Sequence, residues 1–389
     1  MRYSVQTRDY LILRDGKPFG DEKNFGGSSY SSIMPQTLAG MVRTAVGFSR
    51  DANYFSTEEN IRNILDVEIQ KILYAAIRKS GSEFLVPPPA DVVFTKTGHK
   101  IKTNVLTFAE VPENCGTDIR NRDWLVPTLD CSEKPAKDVP KQWYWDTFTQ
   151  YMNGRLSEGS VFSLDDLGIA SFITDTQIHN GLNPETRSTQ EGRLFANKQL
   201  YMAAKNCSDG SLIPVELSFE VSEPLPTGDT YLGGERRTVD VRESKAEFPA
   251  CPAIFDNQRF LKLVLLTHGS FGGWCPSWLQ PDMNADGIEF VCIPGTEYKV
   301  RLRSACVSGW DGVSGWDYAS KLRDGKKGKP KPLAKLVRPG SVYLLEIQNP
   351  AQSSDIAKLL WGNSICDGQS KKDGFGLVAL GLASNQVKV

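Results

Sequence analysis

The chain has 389 residues, 40% of them hydrophobic and 23% charged, which excludes a disordered, collagen-like or coiled-coil protein. This length exceeds the roughly 100–200 residues of a usual single domain, so two domains, or one domain with a large insertion, are expected. The formal net charge of −1 gives no global field for a polyanion, and any basic surface must act locally, over roughly 10 Å at ordinary salt.

Tyr3 to Arg14 reads as a first strand, ending at the turn formers Asp15-Gly16-Lys17-Pro18. The N-terminal run has no signal-peptide core, and no apolar stretch approaches membrane-spanning length, so a cytoplasmic protein without membrane contact is expected. A Ser/Gly-rich loop leads to Ile33. Pro35 then stands where a helix begins, with Leu38, Met41, Val42, Ala45 and Val46 at helical spacing. A second helical pattern is expected over Ile61 to Arg78, its stripe being Ile61, Leu65, Ile69, Ile72, Leu73 and Ala76.

Residues from about 81 to 160 look like an irregular, proline-rich insertion, closed by a short aromatic helix near Trp143 to Met152. Two arms around a polar tip, about residues 173–202, suggest a long hairpin. Pro214 to Val221 alternates like a strand, and Pro224, Pro226 and Gly228 mark the expected boundary between domains 1–225 and 226–389. Strands follow at Phe260–Leu266, Lys299–Arg303 and Val342–Ile347, then a helix after Ser353 and Ser354 and a last strand at Leu377–Leu380. Strands bracketing helices, with a final helix-to-strand return, point to an α+β fold with a split β-α-β, ferredoxin-like sheet; the first half has room for a decorated version of the same unit.

Gly374-Phe-Gly-Leu-Val-Ala379 spells G-x-G-x-x-A. A dinucleotide fingerprint needs a strand before it, a helix after it and an acidic residue about 20 positions on, and this context refuses it. Two uses stay open for these glycines: plain turn residues before an edge strand, or a place where backbone amides approach a phosphate or a base. Leu232-Gly-Gly-Glu-Arg-Arg237 pairs two permissive glycines with two guanidinium groups that can fork onto phosphates, and is equally a solvated turn. Lys321 to Arg338 is a basic extended run containing Lys329 and Lys331, either a phosphate neutraliser or a solvated linker. Before it, Ser308-Gly-Trp-Asp311 and Ser314-Gly-Trp-Asp317 form a local duplication, whose Trp310 and Trp316 can stack on bases or pack in a core or interface.

Catalytic and metal signals are sparse. The eight cysteines contain no C-x-x-C pair and read as reduced thiols, so neither metal nor cofactor is expected. His99, His179 and His268 stand without a surrounding constellation, and no P-loop, H-E-x-x-H or G-x-S-x-G occurs. His268 would be the first choice if an activity existed.

Taken in order, Arg14-Asp-Gly-Lys-Pro-Phe19, Pro35 to Arg43, Glu191-Gly-Arg-Leu-Phe195, Leu232 to Arg237, Ser308 to Asp311, Lys329-Pro-Lys-Pro332, Pro339-Gly-Ser-Val-Tyr343 and Gly374-Phe-Gly-Leu377 resemble the landmarks of the RAMP proteins of CRISPR effector complexes. Among these, the resemblance is to the third-subunit family of the type III-B Cmr complex. It implies two ferredoxin-like (RRM-like) domains, the first carrying the insertion and a thumb-like β-hairpin. It implies a non-enzymatic role in antiviral defence, holding the 5′ repeat-derived tag of the guide RNA (crRNA) against the large polymerase/cyclase-type subunit and the backbone RAMP subunit. The implied RNA contacts are Gly374, Phe375 and Gly376; Gly233, Gly234, Arg236 and Arg237; Arg187, Arg193 and Phe195 on the thumb; Arg14 and Arg43; and Lys329 and Lys331. The doubled Ser-Gly-Trp-Asp departs from the single copy expected of the family. Two rival functions stay in view: a metal-independent repeat-processing endoribonuclease, and a scaffold that touches only protein.

Overall fold

The computed structural model describes residues 1–14, 30–79, 81–98, 100–112, 115, 121–156, 160–317, 329–383 and 385–388, apart from the side chains of Thr97, of residues 190–195 and of Trp316. The turn after Arg14, His99 and the lysines between 321 and 327 lie outside the described residues.

The first sheet comprises β1 (Arg2–Thr7), β2 (Ile69–Arg78), β3 (Gly81–Val86), β4 (Gln142–Tyr144), β5 (Gly168–Ile169), the long pair β6 (Phe172–Leu182) and β7 (Thr189–Lys205), β8 (Leu212–Val221), β9 (Gly228–Tyr231) and β10 (Thr238–Glu243). Its order is β5-β4-β3-β2-β8-β1-β10-β9, with β7 leaving along the start of β8 and β6 pairing only with β7. The expected long hairpin is therefore present and anchored through one arm. The strand expected over residues 3–14 stops at Thr7, and the chain resumes contact through Leu11, which exchanges backbone hydrogen bonds of 2.8 and 2.9 Å with Leu200. The expected boundary near residue 225 does not end this sheet, because β10 runs along β1 from Tyr3–Glu243 to Thr7–Val239.

Helix α1 (Pro35–Arg50) starts on proline, whose missing N–H is no loss in a first turn, and buries Leu38, Met41, Val42 and Val46 against this sheet. The helix expected over 61–78 is instead a short helix, Glu58–Asn63, followed by β2. The cause is a bulge. Glu220 and Ser218 on β8 face Gln70 and Leu73 on β2, so β2 holds one extra residue there, and Lys71 takes φ +52°. That extra residue puts Ile69 and Ile72 into one core and Leu73 into another. Side chains three apart then share a face, imitating a helical stripe.

The expected insertion is not a separate excursion. It supplies β3 and β4, a hairpin of Val92–Thr97 with Lys100–Val105, and helix α2 (Trp145–Met152). Phe148, Tyr151 and Met152 leave the first layer and enter the core of the second. Strands of three to six residues between prolines carry too little period to be recognised in the sequence.

The second sheet comprises β11 (Phe260–Leu265), β12 (Val291–Cys292), β13 (Lys299–Cys306), β14 (Val342–Ile347) and β15 (Val378–Leu382), in the order β12-β13-β14-β11-β15. Helix α3 (Ser353–Leu360) links β14 to β15, and the short α4 (Gly368–Lys372) follows it. Both β11 and β14 are buried along their whole length, which explains their near-continuous apolar sequences. Gly381 lets α2 lie on β15, since a Cβ there would sit 3.3 Å from the Met152 backbone.

One polar residue interrupts β11. Lys262, 1% exposed, donates to Asp91 Oδ2 at 3.0 Å, while the Tyr151 hydroxyl donates to Asp91 Oδ1 at 2.6 Å and its ring lies 3.8 Å from the ammonium. Burial lowers the Lys262 pKa and raises that of Tyr151 well above the usual phenol value. The triad pins α2 and the segment before Val92 onto the second sheet. All eight cysteines are free, and burial pushes the thiols of Cys275, Cys306 and Cys366 up to about 12. Among the described residues, no helix is long and apolar enough to cross a membrane.

Candidate nucleic-acid interface

The Leu232–Arg237 turn sits where the root of the long hairpin meets the Tyr10–Arg14 segment. Leu232 is buried and its N–H bonds the Arg237 carbonyl at 2.9 Å. Gly233 has φ +80°, and a Cβ there would lie 2.7 Å from the Ile12 carbonyl, which accepts the Gly234 N–H at 2.7 Å. Glu235 and Arg236 then both take left-handed conformations, φ +57° and +51°, each costing of the order of 1 kcal/mol or more for a side-chain-bearing residue.

Side chains compensate for this strain. Glu235 accepts from Asn197 at 3.2 Å, from Arg237 at 3.2 Å and from Arg14 at 3.4 Å. Arg237 lies 3.9 Å over the Tyr10 ring, donates to the Tyr10 hydroxyl at 2.6 Å and pairs with Asp9 at 3.3 Å. Arg236 is the outcome: exposed, with no ion pair among the described residues. The two arginines expected to act together thus divide. Arg237 holds the turn, and Arg236 faces outward.

Sequence inspection named Arg187, Arg193 and Phe195 on the hairpin but missed the residues of β7 that face the turn. Asn197 and Gln199 are buried on β7 at alternate positions, with Tyr201 next on the same face, so a polar stripe with period two faces the turn. Gln199 accepts from the Tyr201 hydroxyl at 3.3 Å, but its buried Nε2 has no partner among the described residues. The alternation Asn197, Gln199, Tyr201 was a signal available in the sequence. At the tip Arg187 is exposed with φ +54°, its N–H bonding the Asn183 carbonyl at 2.8 Å. The backbone at Phe195 lies opposite His179, while the side chains of Arg193 and Phe195 are outside the described set.

The glycine segment corrects the sequence expectation. Gly374, Phe375 and Gly376 are all buried. Their N–H groups are spent on Lys371, Ser370 and His268 carbonyls at 3.2, 3.1 and 2.8 Å, leaving none to meet a phosphate. Phe375 packs with Met34, Val313, Leu336 and Cys366 rather than offering a ring for stacking. The glycines are required by close approach: a Cβ on Gly374 would lie 2.4 Å from Ile72 Cδ1, and one on Gly376 2.6 Å from Cys366 Sγ. Arg43 needs the same correction. It is 7% exposed and donates to the Val67 carbonyl at 3.2 and 2.9 Å and to Asp373 at 2.6 Å, tying α1 to the end of α4. These residues brace the two sheets together.

The duplicated Ser-Gly-Trp-Asp opens a ribbon. Trp310–Val313 pairs with Ala334–Val337, and Trp316–Asp317 with Lys329–Pro330. Lys329 and Lys331 are exposed on the returning strand. His268, 6% exposed, lies 3.1 Å from Asp311, which also receives Arg338 at 2.9 and 2.7 Å. The His268 hydrogen bond, with Arg338 beside it, lowers the Asp311 pKa to about 2 despite partial burial. Among the described residues, no group of three or more His, Cys, Asp or Glu side chains is placed to hold a metal ion.

Residues 3–383 match the family model described as CRISPR-associated protein (Cas_Cmr3). The chain belongs to the Cmr3 family. Two solved chains similar to this Cmr3-family protein come from the type III-B Cmr-beta complex bound to cognate target RNA. One is 14% identical, covers 100% of this chain and 98% of its own, and has a TM-score of 0.48. The other, from the complex also bound to AMPPnP, is 12% identical over 98% and 99%, with a TM-score of 0.46. A chain of the Csm3-Csm4 subcomplex of the type III-A interference complex is 11% identical over 90% and 94%, with a TM-score of 0.32. Comparison with curated proteins gives no match.

Proposed function

We propose that this Cmr3-family chain is a non-catalytic RNA-binding subunit of a type III-B CRISPR effector complex, capping the repeat-derived 5′ tag of the guide RNA in antiviral defence. Its protein partners in this reading are the large polymerase-type subunit and the backbone RAMP subunit. The observation that carries the RNA contact is the Gly233–Arg237 turn, where two successive left-handed residues are held by Asn197, Arg14 and Tyr10 so that Arg236 faces solvent at the hairpin root. Strain maintained by this many side chains is a recurring mark of a binding site.

Arg236 neutralises a tag phosphate, with Arg14 against the neighbouring Glu235 and Arg187 at the hairpin tip, and the hairpin stands beside the tag where guide pairing begins. Backbone contacts position the RNA, and the guide itself reads the target sequence. Two ferredoxin-like units are part of the proposal. In support, the sets β10-β1-β8-β2 and β15-β11-β14-β13 each place the first strand between the last and the third. The non-catalytic part is supported by the burial of His268, the first-choice histidine, at 6% exposure.

Arg236→Ala is expected to weaken binding of a tag-containing RNA to the full chain and to reduce the slope of log K against log salt by about 0.7. The unfolding midpoint should not move, since Arg236 is exposed. Fluorescence anisotropy over a salt series measures this, and an unchanged slope removes the turn from the interface.

A further inference from the structure

We propose that the outer face of the Trp310–Val337 ribbon is a base-stacking platform for single-stranded RNA, with Trp310 as the stacking ring. The proposal rests on the RNA-binding reading above but places a second contact on a different strand pair from Arg236. Trp310 is 55% exposed, an unusual position for the largest apolar ring. On the same face stand Gly312 and, directly opposite it, Lys335, whose ammonium lies 4.9 Å from the Trp310 ring centroid. Gly312 borders the ring and Leu333: its Cβ position lies 3.6 Å from Trp310 Cζ3 and 3.5 Å from Leu333 Cδ1, ordinary contact distances.

The surroundings specify the partner's charge. Lys329, Lys331 and Lys335 are all exposed along the returning chain; of the ribbon's acids, Asp311 is occupied by His268 and Arg338, and Asp317 stands opposite Lys329, away from Trp310. An exposed indole with the Lys335 ammonium against it, and Lys331 further along the returning chain, fits an aromatic base with phosphates beside it. It fits an extended apolar protein patch poorly, since Val337 opposite Trp310 is buried and Leu333 is the one other exposed large apolar side chain among the described side chains of the ribbon. Stacking of this kind accepts any base and gains from nearby cations.

The platform is also rigid. Its inner face buries Val313 and Leu336 with Met34, Cys366 and Phe375. Val337 exchanges backbone hydrogen bonds of 2.9 Å with Gly269, the Tyr30 hydroxyl donates to the Gly312 carbonyl at 2.9 Å, and Gln36 donates to the Ser314 carbonyl at 3.2 Å. A ring carried on such a base needs little ordering when a nucleobase arrives.

The test uses the full chain and a fluorescein-labelled polyuridine oligonucleotide, which cannot pair with itself. Trp310→Ala should weaken binding by about tenfold with an unchanged salt slope, and Trp310→Phe should retain most of the affinity. Lys335→Gln should instead reduce the slope by about 0.7. Equal affinity of Trp310→Ala and the parent chain overturns the platform, while an effect of Arg236→Ala in the same assay would leave the first contact standing. Loss of binding by Arg236→Ala alone would defeat the proposal, and release of a neighbouring subunit from assembled complexes by Trp310→Ala with RNA affinity intact would defeat it and make this face a protein interface. A parent chain that binds no RNA defeats both readings.

Discussion

Asp91→Ala is expected to destabilise the chain by about 3–5 kcal/mol, the usual cost of removing one partner from a buried ion pair. Asp91 is 0% and Lys262 1% exposed, so removing the carboxylate leaves a buried ammonium without its ion-pair partner. Tyr151 also loses the acceptor of its 2.6 Å hydrogen bond, which leaves a second buried polar group unsatisfied. Replacing both charges, as in Asp91→Leu with Lys262→Met, should recover the part of the loss that comes from the unpaired ammonium, because apolar groups of similar size avoid its desolvation cost, while the Tyr151 hydroxyl stays unsatisfied. Urea unfolding of the single and double variants measures both quantities. A loss below about 1 kcal/mol for Asp91→Ala would mean that the pair does not pin the layers. The consequence reaches function, since this pin fixes the sheet bearing the Trp310 ribbon against the segment that leads back to the first sheet.

Phe375→Ala should cost about 3–5 kcal/mol, as expected for truncating a fully packed phenylalanine. The ring is 3% exposed and fills the point where the start of α1, the ribbon and the C-terminal segment converge. Phe375→Leu, which keeps most of the volume, should cost under about 1.5 kcal/mol. RNA affinity per folded molecule should be the same for Phe375→Leu, which keeps the packing under the ribbon, as for the parent chain. A stacking role would give the opposite pair of results, with stability kept and affinity lost, so measuring unfolding and RNA binding on the same variants separates core from contact.

How far the sequence could be read depended on period and on partners. Strands buried on both faces, such as β11 and β14, and the proline-started α1 were legible because local pattern and tertiary role agree. β2 was not, because the bulge at Lys71 gives a strand the spacing of a helix. The segment around residue 225 was misleading for a related reason: proline and glycine mark a turn whether or not the chain leaves its sheet. At the candidate site, composition located the Gly233–Arg237 turn but could not separate Arg236 from Arg237. That distinction is made by Tyr10 and Asp9, more than 220 residues away in the chain. The glycines at 374 and 376 had two physical explanations, and the contacts with Ile72 and Cys366 select close packing. Arg43 shows the same limit, since a guanidinium that clamps a helix to a distant carboxylate looks in sequence like one that meets a phosphate.

The central claim is that the turn and hairpin root of this chain lie against the 5′ tag of the guide RNA. An assembled type III-B complex loaded with guide RNA carrying 4-thiouridine in the tag tests it most directly, by irradiation and mass-spectrometric mapping of the crosslinked peptides. Crosslinks should fall on the 228–243 segment around Arg236 and on the hairpin 172–205. Tag crosslinks confined to other subunits, with none on these two segments, would contradict it.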